Sequence, residues 1–162
     1  MVTFDFMDAQ VICLLLADDD RDDHFLFGEA LSELLFATQL STVNDGEQLM
    51  QQLTKQPAPL PDVLFLDLNM PRKNGLQCLE EIKRDEQLKH LPVIIYSTSM
   101  QEDVVDLVYK NGAQHYIRKP AEFSQLKKVI HHALTLVAQK NSAQPTREKF
   151  VITGNSTIHS EV

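Results

Sequence analysis

Three stretches of this chain are apolar at every position instead of every second one, and that restricts the fold more than anything else in the sequence. Residues 11–17 read VICLLLA, residues 63–66 read VLFL and residues 93–96 read VIIY. A strand with one face in water alternates apolar and polar side chains, so strands apolar throughout are covered on both faces. Between them, apolar residues recur at helical spacing. Phe25, Leu26, Ala30, Leu31, Leu34 and Leu35 predict a helix over about 22–37, and Leu49, Met50 and Leu53 a second one after the turn Asn44-Asp45-Gly46, with Asp45 as its N-cap. Leu76, Leu79 and Ile82 mark a third. Val104, Val105 and Val108 mark a fourth that stops at Asn111-Gly112, and Phe123, Leu126, Ile130, Ala133, Leu134 and Val137 a fifth. Residues 40–43 and 114–118 supply two weaker strands.

Five strand–helix units in alternation imply a parallel sheet with helices on both faces, joined by right-handed crossovers. The predicted class is α/β: a flavodoxin-like, doubly wound, five-stranded parallel sheet in the order 2-1-3-4-5, written (βα)5, with a switch point beside strands 1 and 3. Residues 11–138 form the expected domain. Residues 1–10 read as a leader and residues 139–162 as a flexible polar tail, in which Phe150, Val151 and Ile152 make one apolar patch able to dock on the domain or on a partner. The 162 residues suffice for one domain with a full core. Fifteen Lys and Arg against 23 Asp and Glu give a net charge of −8, which disfavours binding to nucleic acid. No apolar run is long enough to span a bilayer, and the N-terminus lacks a secretory pattern, so the expected location is cytoplasmic. Cys13 and Cys78 have neither disulfide nor zinc spacing and read as small buried side chains.

The residues that follow the strands carry the chemistry. The first run ends on Asp18, Asp19 and Asp20, the third strand on Asp67, the fourth on Ser97 and the fifth on Lys119. In a parallel sheet these lie along one edge, where open α/β folds place their ligands. Three carboxylates gathered at one edge repel one another unless a cation or a proton joins them. Mg²⁺ suits them, since it takes hard oxygen ligands and few carboxylates, and a backbone oxygen at Asn69 adds a further ligand. Asp20, Asp22 and Asp23 read as acids at a helix N-terminus. Asp67 has the position of a nucleophile that accepts a phosphoryl group as an acyl phosphate. Lys119 offers a point charge to the phosphoryl oxygens and Ser97 a hydrogen bond.

These motifs closely resemble the receiver domains of two-component response regulators. The resemblance rests on Leu14-Leu15-Leu16-Ala17-Asp18-Asp19-Asp20, on Asp62-Val63-Leu64-Phe65-Leu66-Asp67-Leu68-Asn69-Met70-Pro71 with Asn74-Gly75 after it, on Pro92-Val93-Ile94-Ile95-Tyr96-Ser97-Thr98-Ser99, and on Gly112-Ala113 through Tyr116-Ile117-Arg118-Lys119-Pro120. It covers residues 11–138. It implies Asp67 as phosphoacceptor, Asp19 as direct metal ligand, Asp18 as a ligand acting through water, and Asn69 as donor of its main-chain oxygen to Mg²⁺. Ser97 matches the switch hydroxyl, Tyr116 the aromatic switch that turns inward when Ser97 moves, and Lys119 the phosphate-binding lysine, with a cis bond to Pro120. Residues 84–91, with Glu86, Lys89 and His90, resemble those of stand-alone receivers that serve bacterial phytochromes.

The resemblance further implies a stand-alone regulator, not an enzyme with turnover. It takes a phosphoryl group from a sensor histidine kinase and switches the binding of a downstream protein partner through the face made by the fourth helix, fifth strand and fifth helix. A homodimer through that face is expected; DNA and membrane are not expected partners. Two alternatives stay open: a phosphorelay intermediate that passes phosphate to a histidine phosphotransfer protein, and a scaffold that is never phosphorylated. An Asp-based phosphatase would need a second Asp where Asn69 stands. A flavin carrier would need a Ser, Thr and Gly loop where residues 18–23 read DDDRDD, and the nucleotide-cradling glycine-lysine loop does not occur. His24, His115, His131 and His132 share no metal spacing and are expected to be solvated.

Overall fold

The computed structural model describes residues 10–55, 59–140 and 143–154. The expected leader lies outside these residues except for Gln10, as do the end of the tail and residues 56–58. Strands β1 (Ile12–Ala17), β2 (Thr38–Val43), β3 (Val63–Leu66), β4 (Val93–Ser97) and β5 (His115–Arg118) alternate with helices α1 (Arg21–Ser32), α2 (Gly46–Thr54), α3 (Gly75–Arg84), α4 (Glu102–Lys110) and α5 (Phe123–Ala138). A short helix, α6 (Arg147–Phe150), and a two-residue strand, β6 (Val151–Ile152), follow. All strand pairs are parallel, in the order β2-β1-β3-β4-β5-β6.

The continuous apolar runs arise from two cores, one on each face of the sheet. On one face Leu15, Ala17, Leu64, Leu66, Val93 and Ile95 meet Leu49, Leu79, Ile82, Val105 and Val108 from α2, α3 and α4. On the other, Leu14, Leu16, Val63, Phe65, Ile94 and Tyr96 meet Phe27, Ala30, Leu31, Val129, Ile130 and Leu134 from α1 and α5. Strand β2 lies at the sheet edge and is only half covered, which is why its pattern is weak. Helix α1 ends at Ser32, short of the expected 37. The chain turns there to begin β2 at Thr38, which leaves Leu35 fully exposed. Gly112, at φ +96°, takes the left-handed turn after α4 that a side chain would strain. Cys78 is buried as expected, whereas Cys13 is half-buried.

Residues 143–154 are not the flexible tail expected, whereas the apolar patch Phe150-Val151-Ile152 docks on the domain, one of the two outcomes the sequence left open. Residues 143–154 fold back along β5 instead of standing free. Val151 pairs with Tyr116 and Ile152 with Ile117, adding a sixth strand. Phe150 is fully buried, with its ring 4.9 Å from Tyr109 and 6.4 Å from Tyr116. Arg147 binds Asp106 at 2.7 Å and Glu102 at 3.0 Å on α4, and the Tyr109 hydroxyl donates to the Pro145 carbonyl. The polar residues that suggested disorder serve as hydrogen-bond partners: the Gln144 amide donates to the Tyr109 and Ala113 carbonyls, and that of Gln114 to the Ala143 carbonyl. No helix among the described residues is long and apolar enough to cross a membrane.

Candidate functional site

Register aligns the strand ends. Ala17 is level with Leu66, and Ser97 with Arg118, so the residues after β1, β3 and β5 open on the same crevice as Ser97. Asp67 is held there by backbone contacts on both sides. Its N–H donates to the Ala17 carbonyl at 2.9 Å, and its Oδ1 accepts from the Asn69 N–H at 3.3 Å. Helix α3 begins hard against this loop, with Asn74 and Gln77 forming a reciprocal cap. A Cβ on Gly75 would lie 2.3 Å from the Asp67 carbonyl oxygen, so any larger residue would push the acceptor loop out of place.

Asp18, Asp19 and Asp67 each offer an oxygen, all within 4.8 Å of one another. Asp18 and Asp67 are buried and Asp19 is exposed, so the trio opens to solvent on one side. Lys119 Nζ lies 2.8 Å from Asp18 Oδ2, 2.7 Å from Asp23 Oδ2 and 3.8 Å from Asp67 Oδ2. Asp18 Oδ2 is an ion-pair partner of this lysine but, among the described residues, lacks a donor at a hydrogen-bonding angle. Burial raises the proton affinity of Asp18, against the pull of Lys119. Burial, helped by the charge of Asp18, likewise pushes Asp67 up to about 6, although Lys119 opposes it. Burial works against the charge of Lys119, but its carboxylate neighbours prevail and hold it at about 12. Two buried carboxylates reluctant to ionise, one with an oxygen short of donors, fit a hard divalent cation.

Ser97 is buried, and its hydroxyl oxygen accepts the Ser99 N–H at 3.2 Å. The Tyr116 hydroxyl donates to the Ser99 carbonyl at 2.5 Å. Tyr116 was expected to turn inward only after Ser97 moves; its ring is already fully buried, closed over by Phe150. Two of the histidines expected to be solvated are engaged: His24 Nε2 lies 2.6 Å from the Asp18 carbonyl oxygen, and His115, buried, has Nδ1 3.2 Å from that of Phe150. Asp23 joins the crevice as a partner of Lys119, a role nothing in the sequence marks. Asp20 alone accepts the first-turn N–H, from Asp22, which leaves the Asp23 carboxylate free for the crevice.

The crevice is acidic and lysine-flanked and opens at one edge of a doubly wound parallel sheet, where such folds place their ligand sites. Residues 14–131 match the response regulator receiver domain, and the chain belongs to that family. The response regulator Rcp1 of Synechocystis sp. is 33% identical over 121 residues, spanning 72% of this chain and 82% of that protein. Among solved structures, the phosphorylated cyanobacterial phytochrome response regulator RcpA has a TM-score of 0.75 at 33% identity, covering 85% of this chain and all of that one. The Mn²⁺-bound form of Rcp1 has a TM-score of 0.72 at 29% identity, covering 83% of this chain and 99% of that one.

Metal binding should depend on pH in a defined direction. The folded-state value for Asp67 lies above its ordinary 3.8, so between 3.8 and about 6 the folded protein holds a proton that the unfolded chain releases. Metal-free stability therefore falls as pH rises through that window, and protons compete with the metal at its lower end. A divalent cation should raise the melting temperature more at about pH 7.5 than at about pH 5. Equal shifts in thermal melts at the two pH values would contradict the placement of the metal on these carboxylates.

Proposed function

We propose that this receiver takes a phosphoryl group from a cytoplasmic sensor histidine kinase onto Asp67, in a Mg²⁺-dependent step, and thereby changes what a partner protein meets at the α4-β5-α5 face. The supporting observation is the setting of Asp67: a buried carboxylate beside two further aspartates, with Lys119 within 4 Å. A carboxylate oxygen of Asp67 attacks phosphorus, the phosphorus–nitrogen bond of the donor phosphohistidine breaks, and the released imidazole nitrogen takes a proton. Asp18, Asp19, Asp67 and the main-chain oxygen of Asn69 would hold Mg²⁺, which when bound would supply positive charge to the transferring oxygens. Lys119 turns its ammonium to one phosphoryl oxygen, and Ser97 donates its hydroxyl proton to another. The chain is a phosphoacceptor with no turnover of its own beyond gaining and losing that group.

The route outward differs from a simple inward swing of Tyr116, because that ring is already inside. When Ser97 turns to the phosphoryl group, its Oγ leaves the Ser99 N–H. Tyr116 is hydrogen-bonded to the same Ser99, and Phe150 packs on Tyr116. The change therefore reaches α6 and β6, which line the face a partner would approach. The homodimer expected through this face would need to accommodate or displace residues 143–154, since β6 already pairs with β5. Beryllofluoride, which mimics the acyl phosphate, tests this reading. With Mg²⁺ it should change amide hydrogen exchange in residues 97–99, at Tyr116 and along β6. A protein indifferent to beryllofluoride in Mg²⁺ would refute phosphoryl acceptance, and a response confined to the crevice would refute the route outward.

A further inference from the structure

Asp23 stands apart from the other aspartates of its loop. It does not cap α1, a role taken by Asp20, and it is not one of the three carboxylates clustered for a metal. Its side chain is 23% exposed, against 10% for that of Lys119, so the lysine reaches outward to it from the buried end of the crevice. The contact, at 2.7 Å, is the shortest that Lys119 makes, and a full ångström shorter than its contact with Asp67. An ammonium has three protons to share, and two carboxylates hold it more closely than the acceptor does. Lys119 also lies over the Tyr96 ring, 5.3 Å from its centroid, which limits where the ammonium can go.

We propose that Asp23 is a positioning residue: it anchors Lys119 on the α1 side of the crevice and competes with the phosphoryl group for the lysine, thereby lowering the occupancy of the phosphorylated state. The inference rests on the reading that Asp67 is the phosphoacceptor. Once a divalent cation engages Asp18, Asp23 is the partner that Lys119 keeps. Contact between Lys119 and a phosphoryl oxygen then has to be made at the expense of that ion pair. Asp23 could alternatively act only through its negative charge, repelling any anion in the crevice. The two modes differ in whether they need the lysine. Competition for Lys119 vanishes when Lys119 is absent, whereas plain repulsion persists.

The test is the affinity for beryllofluoride at saturating Mg²⁺, with saturation established for each protein by prior titration. Four proteins are compared: wild type, Asp23→Asn, Lys119→Ala and the double variant. Asp23→Asn keeps the shape of the side chain and removes its charge at a half-exposed position. It should bind beryllofluoride about fivefold more tightly than wild type, the size expected for loss of one partly exposed ion pair. In the Lys119→Ala background the same substitution should change affinity less than about twofold. Equal tightening in both backgrounds would reduce Asp23 to a source of repulsion and overturn the proposal, as would no change or weaker binding in the presence of Lys119. Wild type that binds no beryllofluoride would instead bring down the assignment of Asp67, and the Asp23 proposal with it.

Discussion

Asp67→Asn is expected to abolish labelling by acetyl phosphate while leaving a folded protein that melts higher than wild type without metal. The two effects have one cause. Asp67 is buried where ionisation is disfavoured, and burial pushes it up to about 6, so at neutral pH the folded protein carries an uncomfortable charge. An amide of the same shape removes that charge. It does not strand the lysine, because Lys119 keeps its closer partners Asp18 and Asp23. The amide lacks a nucleophilic oxygen, so the rate of phosphoryl uptake should fall by about 10³-fold or more, to background. Gained stability with lost chemistry is the signature of a strained functional group. Labelling of the variant at the wild-type rate would remove Asp67 from the mechanism.

Phe150→Ala should release residues 143–154 from the sheet while the domain of residues 11–138 stays folded. Phe150 has no exposed surface and packs edge-on against Tyr109 and Tyr116. Replacing a buried Phe with Ala costs about 3–5 kcal/mol. The other attachments of the segment are weaker: two ion pairs of Arg147 with partly exposed acids on α4, a few side-chain hydrogen bonds and two residues of strand pairing. Exposed pairs of that kind are worth about 0–1 kcal/mol each. The aromatic anchor therefore dominates, and Arg147→Ala should have a much smaller effect. Hydrogen exchange distinguishes the outcomes: in Phe150→Ala the amides of β6 should lose protection while those of β1 and β3 keep it. Unaltered protection of β6 would show that the aromatic contact does not hold the segment.

Most of the site could be read from sequence because Asp18, Asp67 and Ser97 stand at the ends of strands buried on both faces, while Lys119 follows the weaker fifth strand. Continuous apolar runs mark such strands without ambiguity, and the parallel order of the first five fixes which ends are neighbours. Asp18, Asp67, Ser97 and Lys119 therefore meet as the motifs indicated. The omissions have physical reasons. Strand β6 is two residues long and pairs through its backbone, so it carries no periodic signal. Polar and Pro residues before it usually mark disorder, but here Ala143, Gln144 and Pro145 bridge through side-chain amides and carbonyls to α4 and to the turn before β5. Tyr116 was expected to have an outward position to leave, which ignored the cover that Phe150 provides. Asp23 was read as one more acid in a helix's first turn, since its contact with a lysine 96 positions away has no local trace.

The most direct test of the central claim is to find which residue carries the phosphoryl group. The full chain would be incubated with acetyl phosphate, with Mg²⁺ or with chelator, then reduced with borohydride to trap any aspartyl phosphate and mapped by peptide mass spectrometry. The account predicts modification at Asp67 alone, present with Mg²⁺ and lost with chelator. Label on another side chain, or label at Asp67 that is indifferent to the metal, would contradict it.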